Sequence, residues 1–137
     1  MAKFYMNQNN DKNKKLAQEW FDIGNNELEF AKAGFKEFDA FYPQICFLCQ
    51  QSTEKYLKGF LVLNKGEFPK MHDISELAKL CMKFDKNFLE LLEKTDILGQ
   101  YYLTSRYPLQ YPPAGKEQAE EAVKIATDII NFISDKL

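Results

Sequence analysis

Apolar residues recur at intervals of three and four along most of the chain, and this period constrains the fold more than any other feature of the sequence. The last segment, which begins at about Lys116, shows it most clearly. Its apolar positions are Ala119, Ala122, Val123, Ala126, Ile129, Ile130 and Ile133. β-Branched residues, which favour strands, are few: eight Ile, two Val and four Thr. The pattern therefore predicts a chain built from amphipathic α-helices.

Glycine and proline residues divide this pattern into five predicted helical segments. They cover about residues 13–33, 43–63, 74–84 and 88–102, and the segment from residue 116 onward. Gly34 is expected to end the first helix, Pro43 to begin the second and Asp73 to cap the short third one. We expect a break in the fourth segment near residues 95–99.

Such helices can bury their apolar faces only against one another, which predicts an all-α fold. The expected architecture is an up-and-down four-helix bundle with an additional short helix. A length of 137 residues suits a single domain. We assign residues 13–137 to this domain, and residues 1–12, rich in Asn and Gln, to a flexible N-terminal arm.

The charge balance argues against binding of long nucleic acids through bulk charge, since the net charge is −2 and the isoelectric point is near 5.5. Seventeen of the eighteen basic residues are Lys, and Arg106 is the single Arg, hence the single candidate for bidentate binding of a phosphate or carboxylate. No signal-peptide pattern and no long uncharged apolar run is present. We therefore expect a cytoplasmic protein without a membrane span.

The three cysteines, Cys46, Cys49 and Cys81, lie in apolar sequence and are odd in number, as expected for reduced thiols in a reducing compartment. Cys46 and Cys49 form a C-x-x-C pair. A zinc site would need further ligands, and the sequence offers neither a second such pair nor more than one His. We expect these cysteines to pack in the core, and we predict no metal and no cofactor.

Three polar features are candidates for function: a polar run in the second helix, the pair His72–Asp73, and the segment 105–108. In the polar run, Gln51, Lys55 and Lys58 share one helix face. This face is either part of a site or a solvated flank with a Glu54–Lys58 ion pair. His72 is either catalytic or an anchor for its loop. Arg106 either binds a ligand or forms a structural salt bridge, for which Glu54 is the expected partner.

In combination, these features resemble the HEPN domain of prokaryotes. The resemblance covers the chain from Trp20 to about Ile133 and includes the order and spacing of all its motifs. These are the run from Cys46 to Gly59 (CFLCQQSTEKYLKG), Met71-His72-Asp73-Ile74 followed by Leu77, Tyr102, Ser105-Arg106-Tyr107-Pro108, and an Ala-rich last helix.

The resemblance implies a four- to five-helix bundle, commonly a homodimer, often encoded beside or fused to a minimal nucleotidyltransferase. Such proteins frequently belong to toxin–antitoxin or nucleotide-linked defence systems. Many are metal-independent ribonucleases with an R-x(4–6)-H motif, in which His transfers protons and Arg stabilises charge. No His follows Arg106 in this chain, and His72 precedes it.

The chain therefore resembles the non-nucleolytic branch of the family, in which such residues are thought to line a groove for a nucleotide or partner. The implied ligand-binding residues are Gln51, Glu54, Lys55, Lys58, Arg106 and Tyr107. The leading hypothesis is a dimeric nucleotide- or partner-binding module that works with a minimal nucleotidyltransferase. The alternatives are a ribonuclease toxin that uses Arg106 and His72, and a dimeric scaffold without a ligand.

Overall fold

The structure is a computed structural model that describes residues 2–104 and 112–137, and only the backbone of residues 2–8. Its α-helices are α1 (Ala2–Glu37), α2 (Tyr42–Lys65), α3 (Ile74–Cys81), α4 (Leu92–Thr104) and α5 (Lys116–Ser134). A 3₁₀ helix, Lys86–Leu91, precedes α4. The predicted all-α bundle with one additional short helix, α3, is confirmed.

Helix α2 is the centre of the bundle because it contacts each of the other four α-helices. Its apolar residues Leu57 and Leu61 are buried in a core that includes Leu77 of α3, Leu98 of α4 and Ile129 of α5. Polar residues on α2 are therefore surrounded by neighbouring elements to an unusual degree. Among the described residues, no helix is both long and apolar enough to cross a membrane.

The observed helix boundaries differ from the predicted ones at both ends of α1. The helix begins at Ala2 rather than at about residue 13, and it continues past Gly34 to Glu37. No Pro or Gly interrupts residues 2–23, so the helical hydrogen bonds continue through the polar N-terminal sequence. The division into an arm over residues 1–12 and a domain over residues 13–137 stays a prediction.

Helix α4 is continuous through residues 95–99, so the predicted break there is wrong. The Thr95 hydroxyl group donates a hydrogen bond to the Leu92 carbonyl oxygen one turn earlier, at 3.0 Å, which lets a buried Thr remain inside the helix. The change of helix type lies instead between Leu91 and Leu92, where the 3₁₀ helix ends.

The predicted cap of α3 is confirmed. Asp73 has an extended backbone, and its Oδ1 accepts hydrogen bonds from the backbone N–H groups of Ser75 and Glu76 at 3.0 and 3.1 Å. This satisfies two of the N–H groups that a helix start leaves without partners. The cap also determines where the preceding residue, His72, enters the bundle.

Gly24 lies at a close contact between α1 and α2, and we expect Gly24→Ala to destabilise the fold by about 1 to 3 kcal/mol. A Cβ atom there would lie 2.8 Å from Tyr56 Cδ2 and 3.0 Å from the Ser52 carbonyl oxygen, which is backbone and cannot move aside. Urea denaturation measures the effect.

Gly34 on the same helix provides the control, because a Cβ atom there would meet Ile45 at an ordinary 3.8 Å. Gly34→Ala should therefore stabilise the protein by about 0.5 to 1 kcal/mol through reduced backbone entropy. If Gly24→Ala and Gly34→Ala change the free energy of unfolding by the same amount, the close contact with α2 at Gly24 is not the cause of the change.

Candidate functional site

A buried ionic cluster lies between α2 and the loop that precedes α3. Glu54 and Lys58 are one turn apart on α2 and are 6% and 5% exposed. Lys58 Nζ lies 2.9 Å from Glu54 Oε2, and His72 Nδ1 lies 3.0 Å from the same oxygen. The Glu54 carboxylate thus contacts two nitrogen atoms, one from α2 and one from the loop before α3.

His72 is held in this cluster by its backbone as well as by its ring. The Gln50 side-chain N–H donates to the His72 carbonyl oxygen at 3.2 Å, and Gln50 is fully buried. The Asp73 cap fixes the following residue. The hypothesis that His72 anchors its loop agrees with these contacts. Its side chain is still 52% exposed, so the ring anchors the loop and faces solvent at the same time.

Aromatic rings enclose the ionic cluster on two sides. Trp20 of α1 meets Phe68 edge to face at a centroid distance of 4.7 Å, and Lys58 Nζ lies 5.9 and 5.3 Å from the centroids of these two rings. On the other side, Tyr102 of α4 stacks on His72 at 4.9 Å, with 18° between the ring planes. A cation near aromatic faces gains electrostatic stabilisation, more so when it is desolvated.

Most of these groups line a pocket of about 290 Å³, which we call the Glu54 pocket. Its lining residues come from α1, α2, α4 and the loop before α3: Trp20, Phe47, Gln51, Glu54, Lys55, Lys58, His72 and Tyr102. The pocket therefore combines flat aromatic walls with amide, carboxylate, ammonium and imidazole groups. A concave surface with a few convergent polar groups is typical of ligand sites.

The two lysines of the pocket already have carboxylate partners. Lys55 Nζ lies 3.0 Å from Glu27 Oε1 on α1, and Lys58 is paired with Glu54. Two buried oxygens nearby, Glu27 Oε2 and Gln50 Oε1, accept no hydrogen bond from the described residues. The positive charge of both lysines is thus balanced within the protein.

The structure brings together five of the residues singled out by sequence, namely Gln51, Glu54, Lys55, Lys58 and His72. Arg106 and Tyr107 lie outside the described residues, and so does the proposed Arg106–Glu54 salt bridge. The expected Glu54–Lys58 ion pair is present, but the idea that it lies on a solvated flank is wrong, because α1 and the loop before α3 cover it.

The sequence pattern does not identify the pocket's other contributors. In the sequence, Phe47 and Trp20 look like ordinary core residues of amphipathic helices. Gln50 lies in the polar run of α2, and nothing in the sequence distinguishes it from the other residues of that run. Glu27 falls within the stripe of α1. The signal that the sequence does carry is the unusual polar content of α2, which as the central helix has little solvent-facing surface.

The three cysteines are fully buried, as predicted. Burial raises the pKa of the Cys46 thiol to about 11 and the pKa values of Cys49 and Cys81 to about 12. Because the thiolate is the reactive form, these thiols are unreactive near neutral pH. They contribute to packing and lie outside the Glu54 pocket.

Comparison with known families gives a match that spans most of the chain. The family model of the HEPN domain matches residues 17–136. This range contains the Glu54 pocket and every motif on which the sequence resemblance was based.

Similar proteins include one named relative and two solved structures. MJ1304 of Methanocaldococcus jannaschii, named as a candidate toxin, is 29% identical over 140 residues, with 91% of this chain and 90% of that protein covered. The solved structure of TT1696 from Thermus thermophilus has a TM-score of 0.71 at 28% identity, covering 88% of this chain and 98% of that one. That of ST0689, an archaeal HEPN homologue, has a TM-score of 0.70 at 27% identity, covering 88% and 96%.

Proposed function

The chain belongs to the HEPN domain family, and from that premise we propose that it is a dimeric module that binds a nucleotide in the Glu54 pocket. In this proposal it works with a small nucleotidyltransferase in a toxin–antitoxin-like or defence system. The name of the M. jannaschii relative supports the link to toxins. A cytoplasmic location is part of the same proposal.

The observation that carries the proposal is the ionic cluster at the pocket wall. Burying Glu54 and Lys58 costs desolvation energy that their mutual attraction does not fully recover, so a buried ion pair is a poor device for stability alone. Here the pair also orients His72, whose ring is half-exposed and stacked on Tyr102. The cluster therefore supports a recognition role better than a ligand-free scaffold.

The charge balance of the pocket suggests how a nucleotide would bind. Since Lys55 and Lys58 are each neutralised by a carboxylate, the described part of the pocket suits an uncharged planar group better than a phosphate. Aromatic faces stack on nucleobases, and the Gln51 side-chain amide can both donate and accept hydrogen bonds. We infer that the pocket takes the base. The phosphate then needs a further cation, and Arg106 is the candidate.

Titration with AMP tests this proposal, with the fluorescence of Trp20, the single Trp of the chain, as the signal. We expect saturable quenching by AMP. Tyr102→Ala should weaken binding by roughly 5- to 150-fold, which corresponds to the 1 to 3 kcal/mol that base stacking contributes. The matched control is Leu103→Ala, an exposed neighbour on α4, which should bind as the unmodified protein does. Absence of AMP binding, or equal effects of the two variants, would refute the proposal.

Dimerisation is proposed from an apolar surface at the end of α1 and the start of α2. Phe30, Phe38 and Phe41 are 68%, 53% and 57% exposed and line one small apolar depression. Large exposed apolar patches mark interaction surfaces. Sedimentation equilibrium should give about twice the chain mass of 16.0 kDa, and a monomer at tens of micromolar would exclude the dimer.

A second candidate function, metal-independent RNA cleavage, is favoured by one contact. The His72 Nδ1 atom faces Glu54 Oε2, an arrangement in which a carboxylate orients an imidazole for proton transfer. The sequence opposes it, because no His follows Arg106.

We expect the purified protein to cleave RNA no faster than an Arg106→Ala, His72→Ala double variant, measured with structured and single-stranded RNA in excess chelator. A general acid–base group typically contributes 10²- to 10⁴-fold, so a true nuclease would separate the two proteins clearly. Reproducible cutting by the unmodified protein alone would replace the binding module with the nuclease.

A further inference from the structure

We infer that an open apolar groove beside the Glu54 pocket is the docking site for an amphipathic helix of a partner protein, one with acidic residues on both sides of its apolar ridge. The groove, which we call the Phe84 groove, has a volume of about 760 Å³ and lies between the end of α2, the loop that follows it, and α3. Its apolar lining consists mainly of Leu61, Phe68, Met71, Leu80 and Phe84.

The groove is held in shape by its own backbone contacts. Gly66 ends α2 with φ at 83°, and its N–H donates to the Val62 carbonyl oxygen at 2.8 Å. The Met71 N–H donates to the Pro69 carbonyl oxygen at 2.9 Å. Phe84 remains 43% exposed at one edge. A preformed apolar groove with an exposed aromatic edge reduces the ordering cost of binding.

Charge complementarity defines the occupant. Lys65 is the last residue of α2, and Lys83 lies two residues beyond the end of α3, so two cations from different elements line the groove. Among the described lining residues, Glu67 is the single acidic one. It lies 3.7 Å from Lys65, but the side chains of Lys65 and Glu67 are 59% and 73% exposed, and such pairs are weak. This local excess of positive charge contrasts with the net charge of −2 of the chain. A helix with acidic residues on both sides of its apolar ridge can form ion pairs with both Lys65 and Lys83. A fatty acid has a single carboxylate and can pair with one lysine at a time.

A helix fits this surface better than an extended peptide. The described part of the chain has no strand, and hence no sheet edge to which a peptide could add. An apolar groove between helices instead receives side chains spaced by three and four residues, as in other helix-in-groove complexes. The occupant would also touch Phe68, whose ring packs against Trp20 of the Glu54 pocket.

The test uses two fluorescently labelled synthetic helices of about 16 residues that share one Leu ridge and differ only in their flanks, Glu in one and Lys in the other. Anisotropy should show saturable binding of the acidic peptide and at least tenfold weaker binding of the basic one. A Lys65→Glu, Lys83→Glu double variant should reverse this preference. Both positions are exposed, so the fold should be retained, which circular dichroism checks.

Two control variants show whether binding depends on this groove in particular. Lys124→Glu, on the exposed side of α5, changes the charge by as much as each of the two groove substitutions does. It should leave the binding of both peptides unchanged. Tyr102→Ala, which impairs the Glu54 pocket, should also leave peptide binding unchanged, so failure of the nucleotide proposal would not be mistaken for failure of this one. Phe84→Ala should weaken the acidic peptide several-fold.

Equal binding of the two peptides, no binding of either, or an unchanged preference in the double variant would overturn the inference. Decanoate serves as the competing small ligand. Chemical-shift changes of residues around Phe84 show whether decanoate occupies the groove. If decanoate binds there and the acidic peptide does not, the groove is a lipid site rather than a docking surface.

Discussion

Replacement of Glu54 by Ala is expected to lower the free energy of unfolding by about 3 to 5 kcal/mol. The substitution leaves the Lys58 ammonium group buried beside Trp20 and Phe68 without the carboxylate that balances its charge. It also removes the partner of the His72 ring. Because domains are typically stable by about 5 to 15 kcal/mol, this loss is a large share of the total. Urea denaturation followed by circular dichroism measures it.

An exposed ion pair on α1 provides the matched control. Lys32 and Glu29 are 3.5 Å apart, with side chains 39% and 60% exposed, so Glu29→Ala should change stability by less than about 1 kcal/mol. A Glu54→Leu, Lys58→Met double variant replaces the buried pair by apolar side chains and should recover most of the loss. A cost below about 1 kcal/mol for Glu54→Ala would mean that water screens the pair.

The fold was easier to predict from the sequence than the site, because helix boundaries depend on local signals. Helix α5 was predicted to begin at about Lys116, where it does begin, because prolines and a glycine precede a clear apolar period. These are local signals. The start of α1 lacks such a signal, since Asn and Gln in residues 7–10 neither stop a helix nor mark an apolar face.

The site depends on contacts between residues that are far apart in the sequence. Helical spacing correctly placed Gln51, Lys55 and Lys58 on adjacent rows of α2. It could not show whether these rows face solvent, because Trp20 of α1 and His72 of the loop before α3 cover them. Periodicity describes one helix at a time, whereas burial of a charged pair is decided by what packs against that helix.

The second large effect concerns the phosphate of a bound nucleotide, which in our proposal is held by Arg106 while the pocket holds the base. Arg106→Ala should weaken AMP binding by about 2 to 5 kcal/mol if the pair between Arg106 and the phosphate is buried, and by much less if that pair is exposed. Both pocket lysines already have carboxylate partners, so a bound phosphate requires another cation. Arg106 is the single Arg of the chain and follows the pocket residue Tyr102 by four positions. Calorimetric titration of the two proteins with AMP measures the difference.

Adenosine distinguishes loss of a phosphate contact from general damage to the pocket. If the pocket holds the base and Arg106 the phosphate, adenosine should bind both proteins equally, while AMP prefers the unmodified one. Arg106→Lys should recover part of the AMP affinity, because Lys keeps the charge but lacks the planar pair of donors that fits a phosphate. If Arg106→Ala weakens adenosine and AMP by the same factor, Arg106 supports the pocket rather than the phosphate, and the lysines must then exchange their carboxylate partners for the ligand.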